Sequence, residues 1–574
     1  MTGREEAPAT TGAGDLPPPP ARHPRRQRAV SVLAVVVVWV VLVVPDRLGE
    51  LGPGALLRLP VEGLVLVALV LLLRPGPARL LALVAGVALA ALTLLRGIDL
   101  GVRATLERPF DPLSDPGQVG SAVSLLADSL GRPGAAVAVV ATVVLVAGMV
   151  GVVVSAVLRL VSVVQQHPVP SRRVVAALSV AWVVTAVLGL QAGPAGPVAA
   201  RSTVTLARAE VGEVRHGLQD RDRFAAAVDH DPLRVPGGPA LLSALRGKDV
   251  IVVFVESYGR VALEDPGIAT QVVPALDAGT AGLASAGYSA RSAYLTSPTF
   301  GGLSWLAHST LQSGLRVDTQ QRYDDVVRST RLTLTAAFGR AGWRTVCSIP
   351  ANHADWPEAR SFYHCDQVYD ARTIGYAGPP FGYAPVPDQF TLEALRRAEL
   401  APTRRAPVMA EVDLVSSHAP WAPLPRLVDP DLLGDGSVYA GMPARGTPRD
   451  VAWRSVSAVR TAYGQSLVYS LRSIVSFVTA SQDRDLVLVV LGDHQPSAPV
   501  TRPGASHDVP VTVVAHDPTV LDRISGWGWA EGLRPTATGP VWPMEAFRDR
   551  ALDAWSGDPA GAPPLAAGPV GPTR

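Results

Sequence analysis

Lysine is all but absent: Lys248 is the only one in 574 residues, so arginine carries nearly all the positive charge. Charge of either sign is scarce. Asp, Glu, Lys and Arg make up 17% of the chain, against about 25% in ordinary globular proteins. The net charge is +2, which leaves no basic excess of the kind that binds nucleic acid. Cysteine is limited to Cys347 and Cys365, too few for a sulfur-rich metal site. Two cysteines in an exported domain can form one disulfide, and spacing leaves that open. What the chain has in excess is apolar surface. It is 48% hydrophobic with a mean hydropathy of +0.25, and the excess sits in the first third.

Five apolar runs stand out there, at 29–44, 55–73, 80–95, 135–158 and 174–190. A spanning helix needs about 20 apolar residues. The second run is interrupted by Arg58 and Glu62. The first lacks the small-residue cleavage site of a signal peptide. Arg22, Arg25, Arg26 and Arg28 precede the first run. Arg74 and Arg79 lie between the second and third, and Arg159, Arg172 and Arg173 between the fourth and fifth. Basic residues stay on the cytoplasmic side. The expectation is therefore a multi-pass plasma-membrane protein with five crossings, a cytoplasmic N-terminus and everything after about residue 192 outside.

The chain then divides as follows. Residues 1–28 read as a disordered cytoplasmic tail and 29–192 as the five-helix transmembrane domain. A linker follows at 193–245, an extracellular catalytic domain at 246–555, and a Pro/Gly/Ala tail at 556–574. From Asp249 on, short apolar runs alternate with helical stretches: 249-DVIVVFVES, 344-RTVCSIP, 407-PVMAEVDLV, 485-DLVLVVLGD and 509-VPVTVVA. Continuous apolar strands are buried on both faces, which predicts an α/β domain with a mostly parallel central sheet. Ligands of such sheets bind beyond the carboxyl ends of the strands.

Four of the runs lead into polar residues at that edge. They are Glu256, then His353 and Asp355, then His418, then Asp493 and His494. A single such residue is commonly a helix cap; four together favour a shared site. Glu256, Asp493 and His494 suit a divalent cation such as Mn²⁺, Mg²⁺ or Zn²⁺. Gly492 would let the backbone turn before the Asp-His pair. In 295-LTSPTFGGLSWLAHSTLQSG, hydroxyl residues and two glycines precede a helical stretch. A hydroxyl at that helix start could be activated by the ion. Thr299 is the first candidate, with Ser297 and Ser304 competing. His353, Arg360, His418 and His507 could grip an anion. Trp356 could stack on a substrate, whereas Trp421 reads as core.

These residues resemble the lipoteichoic-acid-synthase branch of the sulfatase/alkaline-phosphatase superfamily, the membrane phosphoglycerol transferases. VIVVFVES with Glu256, 492-GDH with Asp493 and His494, 353-HADWPEAR and 417-SHAPW carry the likeness. The resemblance implies that Glu256, Thr299, Asp493 and His494 hold one divalent metal, Mn²⁺ first, with Mg²⁺ or Zn²⁺ as alternatives. It implies Thr299 as nucleophile, and His353, Asp355, Trp356, Arg360, His418 and His507 at the substrate. A phosphoglycerol-type headgroup would leave a membrane phospholipid, form a phosphothreonine-type intermediate, and pass to a cell-envelope glycan or polyol-phosphate acceptor. The bilayer would thus be a partner, and nucleic acid would not. A phosphoethanolamine transferase is one alternative, and a sulfatase-like phosphodiesterase or sulfuric ester hydrolase another.

Overall fold

The computed structural model describes residues 24–44, 52–106, 108–112, 115–193, 196–200, 202–231, 241–402, 404–502 and 504–557. The tails expected at 1–28 and 556–574 lie almost wholly outside these residues. The chain divides into two compact units. One is Met1–Gly97 with Val140–Ala209; the other is Ile98–Val139 with Glu210–Arg574.

The N-terminal helices are α1 (Pro24–Val43), α2 (Val61–Leu72), α3 (Pro75–Leu106), α4 (Val119–Gln166, broken at Gly131 ahead of Pro133) and α5 (Pro168–Val187). Among the described residues four helices are long and apolar enough to cross a membrane, one fewer than the sequence led us to expect. The shortfall is the run at 55–73. Pro53–Leu57 forms a 3₁₀ turn, and Leu59–Pro60 pairs with Ala199–Ala200. The Arg58 guanidinium donates to the Val43 carbonyl. Pro53 and Pro60 have no N–H for a helical ladder. Only the 12 residues of α2 remain, about 18 Å of helix against a hydrocarbon core of about 30 Å. Val137, Leu145, Val180 and Val187 expose more than half of their surface, as suits helices solvated by lipid.

The expected linker is largely a helix, α6 (Ser202–Asp229). Its C-terminal half belongs to the second unit. Phe224 and Val228 join a buried cluster with Leu306, Val317 and Phe362. Asp220 accepts a forked pair from Arg322 at 2.7–2.9 Å.

The second unit is built on a nine-stranded sheet. Its strands are β1 (Asp249–Val255), β2 (Ser289–Thr296), β3 (Arg344–Ile349), β4 (Gln367–Asp370), β5 (Val408–Leu414), β6 (Leu486–Gly492), β7 (Asp508–Ala515), β8 (Ala530–Glu531) and β9 (Val541–Pro543). The order is β8-β2-β7-β6-β1-β5-β3-β4, with β9 beside β2. The five strands from β6 to β4 are mutually parallel, whereas β7 runs against both its neighbours. The parallel reading therefore holds for the centre of the sheet and not for the 509 run.

β1 is buried along its whole length, and its alternate side chains enter two cores. Ile251, Val253 and Val255 pack under α7 (Pro266–Ser285), α10 (Asp388–Leu395) and α11 (Val456–Ser481). Val250, Val252 and Phe254 pack under α8 (Ser304–Ser313), α9 (Leu334–Arg340) and α12 (Ala546–Trp555). Each fully buried side chain of this size contributes roughly 1.5–3 kcal/mol. Trp421 is buried against Tyr463, as expected of a core residue. Cys347 on β3 and Cys365 form a disulfide.

Candidate active site and metal centre

Two neighbouring parallel strands end together and deliver the acidic groups. Gly492 on β6 lies opposite Val255 on β1, so Asp493 and Glu256 leave the sheet side by side. The turn expected at Gly492 has a different cause. A Cβ there would lie 2.0 Å from the Tyr258 carbonyl oxygen, so it is close backbone approach that demands glycine.

Glu256 and Asp493 are locked by their neighbours. The Ser257 hydroxyl donates to Glu256 Oε1 at 2.7 Å, and the Ser257 and His494 amides both donate to Asp493 Oδ1 at 2.7 Å. His494 Nδ1 lies 2.8 Å from the Gln495 carbonyl. A carbonyl only accepts, so Nδ1 carries a proton and Nε2 faces the carboxylates. Nε2 is 3.6 Å from Glu256 Oε1 and 3.5 Å from Asp493 Oδ2. Asp493 Oδ2 is sealed from solvent and has no hydrogen-bond partner. Burial and the charge of Glu256 push the Asp493 carboxyl up. At Glu256 burial acts in the same sense, but the positive charge of His494 and His418, when protonated, outweighs it and holds the carboxyl well below its usual range. Lone pairs converge here with too few protons to bridge them, which is the donor set of a divalent cation. The ligand atoms of Glu256, Asp493 and His494 all lie within 4.8 Å of one another.

The hydroxyl at this cluster is that of Ser304, in place of Thr299. Ser304 Oγ donates to Glu256 Oε2 at 3.1 Å and lies 3.2 Å from His494 Nε2. It is the first residue of α8, reached through a left-handed turn at Gly301 and Leu303, with φ of 72° and 67°. A Cβ on Gly301 would meet the Thr105 carbonyl oxygen at 2.2 Å. Thr299 is 4% exposed, 3.5 Å from Ser297 Oγ, and its amide is held by that same hydroxyl. It does not line the cavity in front of the cluster.

That cavity is about 500 Å³. Glu256, Asp493, Ser304, His308, Asp413 and His418 supply its polar wall, and Leu106, Leu303, Trp305 and Tyr383 much of its apolar one. His418 stacks on Tyr383 at 3.7 Å, and its Nδ1 lies 2.6 Å from the Ala419 carbonyl, which again leaves Nε2 for the cavity. The other expected substrate residues are elsewhere. His353, Asp355 and Arg360 are exposed on the chain beyond β3. The Asp355 carboxylate is tied to Arg372 at 2.8 Å. Trp356 packs on Tyr363 at 4.8 Å. His507 lies beside Phe300, and its backbone carbonyl accepts from the Ser297 amide. A motif fixes the order of residues along a loop and not the direction the loop takes, which is why 353-HADWPEAR misled.

Three residues of the site escaped sequence reading altogether: His308, Glu411 and Asp413. The available signal was the pair of acids two apart inside the apolar run 408-VMAEVDL, which places both on one strand face.

No protein-family model matches the chain, and no characterised protein matches it in sequence. Solved structures do. The lipoteichoic acid synthase LtaP of Listeria monocytogenes is 16% identical, with a TM-score of 0.32. That match covers 48% of this chain and 66%, just under two thirds, of the other. The soluble domain of lipooligosaccharide phosphoethanolamine transferase A from Neisseria meningitidis is 14% identical over 54% of this chain and 91% of its own, with a TM-score of 0.35. The Streptococcus pyogenes phosphoglycerol transferase GacH is 11% identical over 58% of this chain and 90% of its own, with a TM-score of 0.34. At identities of 11–16% and TM-scores of 0.32–0.35 these likenesses leave what the site does to be argued from its own residues.

Proposed function

We propose that this protein is a membrane-anchored, metal-dependent phosphotransferase that moves a phosphoglycerol-type headgroup from a membrane phospholipid to an acceptor outside the cell. The observation that carries the reading is the Ser304 hydroxyl, at a helix N-terminus, within hydrogen-bond distance of both Glu256 and His494. Glu256, Asp493 and His494 would hold a divalent ion, Mn²⁺ by preference, which lowers the pKa of a nearby hydroxyl and offsets charge on phosphate oxygens.

Ser304 Oγ releases its proton to solvent and attacks the phosphorus. The bond from phosphorus to the diacylglycerol oxygen breaks, and that oxygen takes up a proton, for which His418 Nε2 in the cavity wall is the placed donor when protonated. An acceptor hydroxyl, giving its proton to the now neutral His418 Nε2, then attacks the phosphorus of the phosphoserine-type intermediate; the bond to Ser304 Oγ breaks, and that oxygen takes a proton back from solvent. The N-terminal amides of α8 face the transferring oxygens.

The outer location rests on two features. Arg159, Arg172 and Arg173 favour a cytoplasmic α4–α5 connection, from which α5 runs outward; from a cytoplasmic N-terminus this requires α2 to count as a crossing, since four crossings would leave the domain inside. A disulfide suits an oxidising compartment.

The test uses the full chain in lipid nanodiscs with Mn²⁺ and phosphatidylglycerol labelled in its headgroup. A labelled adduct on the parent protein, absent from Ser304→Ala and present on Thr299→Ala, is expected. An adduct formed only from phosphatidylethanolamine would assign the alternative headgroup. Release of free headgroup without transfer to any added polyol would make the protein a hydrolase.

A further inference from the structure

Strand register sets a row of acids across three parallel strands. Glu411 on β5 lies opposite Val252 on β1, and Asp413 opposite Phe254. Residues two apart share a face, so Glu411, Asp413 and Glu256 all project to the side covered by α8, with Asp493 next to Glu256. The helix matches this row. His308 follows Ser304 by four residues and so lies on the same side of α8. Ser304 meets Glu256, while His308 Nδ1 lies 3.3 Å from Glu411 Oε1 and 3.5 Å from Asp413 Oδ1.

The second group is held as firmly as the first. Gln312, one turn further along α8, donates from Nε2 to Glu411 Oε2. The Gln312 carbonyl oxygen accepts from the Thr335 amide at 2.9 Å and its hydroxyl at 3.1 Å, which fixes the amide's orientation. Glu411 Oε1 is thereby left for His308. The imidazole itself is stacked on Phe254 at 3.9 Å. Asp413 Oδ1 is sealed from solvent and makes no hydrogen bond. Three donor atoms at such separations fit a common ion with bonds of about 2.0–2.2 Å. A proton serves them less well. An imidazolium N–H points at one acceptor, and Asp413 Oδ1 stays unsatisfied; a cation satisfies all three.

We propose that His308, Glu411 and Asp413 form a second divalent-cation site, beside the Glu256–Asp493–His494 centre and open to the same cavity. The inference rests on the proposed reading of that centre as the first metal site. A second cation there places positive charge on a cavity wall that, among the described residues, contains no arginine or lysine, facing the phosphate oxygens of the donor.

The full chain, purified in detergent and stripped with a chelator, would be titrated with Mn²⁺ while the free ion is followed by EPR. The parent protein is expected to take up about two ions per chain. Glu256→Gln should retain one, and Glu411→Gln and His308→Ala should each retain the other, with circular dichroism reporting the fold of every variant. A parent chain that saturates at one ion, lost in Glu256→Gln, would overturn the second site and leave the first standing; that result needs no variant of the second cluster to fold. A parent chain that takes up none would overturn both.

Discussion

Ser304 Oγ donates to Glu256 Oε2 at 3.1 Å, across 48 residues of sequence and from the first turn of one helix to the end of one strand. On the proposed function the two residues define the reacting edge of the site. Ser304→Ala should lower the turnover of a lipid headgroup by on the order of 10³-fold or more. Thr299→Ala should change it less than about tenfold. Comparing the two variants in one assay decides between the hydroxyls, and a reversed ranking would return the role to Thr299.

Gly492→Ala tests the backbone contact that lets Glu256 and Asp493 leave their strands together. Its methyl would sit 2.0 Å from the Tyr258 carbonyl oxygen, and both strands are buried. We expect a loss of about 1–3 kcal/mol, read as a lowered melting temperature. An unchanged melting temperature would mean that the strands can part without cost.

The disulfide closes a loop of 18 residues between Cys347 and Cys365. Replacing both cysteines with serine should cost about 3 kcal/mol by loop entropy. Thermal unfolding under oxidising and reducing conditions checks it: the parent should shift on reduction and the double variant should not.

Acid stability should depend on Asp517. Lys248 holds its carboxyl down to about 2, and Thr519 adds hydrogen bonds. A carboxyl with a folded pKa below its unfolded one stabilises the fold above the unfolded value, near pH 4. That contribution fades as the pH falls from about 4 to about 2. Allowing for solvent screening, the effect is of order 1 kcal/mol. Asp517→Asn keeps the helix cap and should flatten the dependence of unfolding free energy on pH in that window. An equal slope in both proteins would place the effect elsewhere.

Sequence carried much of the second unit because buried parallel strands announce themselves: 249-DVIVVFV and 486-LVLVVLG have nothing polar until their ends. β2 escaped because 289-SARSAYLT mixes polar and apolar residues, with Arg291 pairing Glu531 at the sheet's edge. Glu256, Asp493 and His494 were legible because each follows a strand. The hydroxyl that meets them was not, because Ser297, Thr299 and Ser304 are three hydroxyls within eight positions. Only the left-handed turn at Gly301–Leu303 determines which one meets the acids. The α2 run was over-read because composition counts apolar residues and ignores where Pro53, Arg58 and Pro60 stop a helix.

The stretch Ile98–Val139 groups with the second unit, and Leu106 within it lines the cavity while the Thr105 carbonyl abuts Gly301. A fragment cut at about residue 200 would therefore be a cup missing part of its rim. If the proposed function holds, whatever such a fragment does to a small soluble phosphate ester, its selectivity for a lipid would be that of a damaged vessel, and the choice of substrate would be a property of the uncut chain.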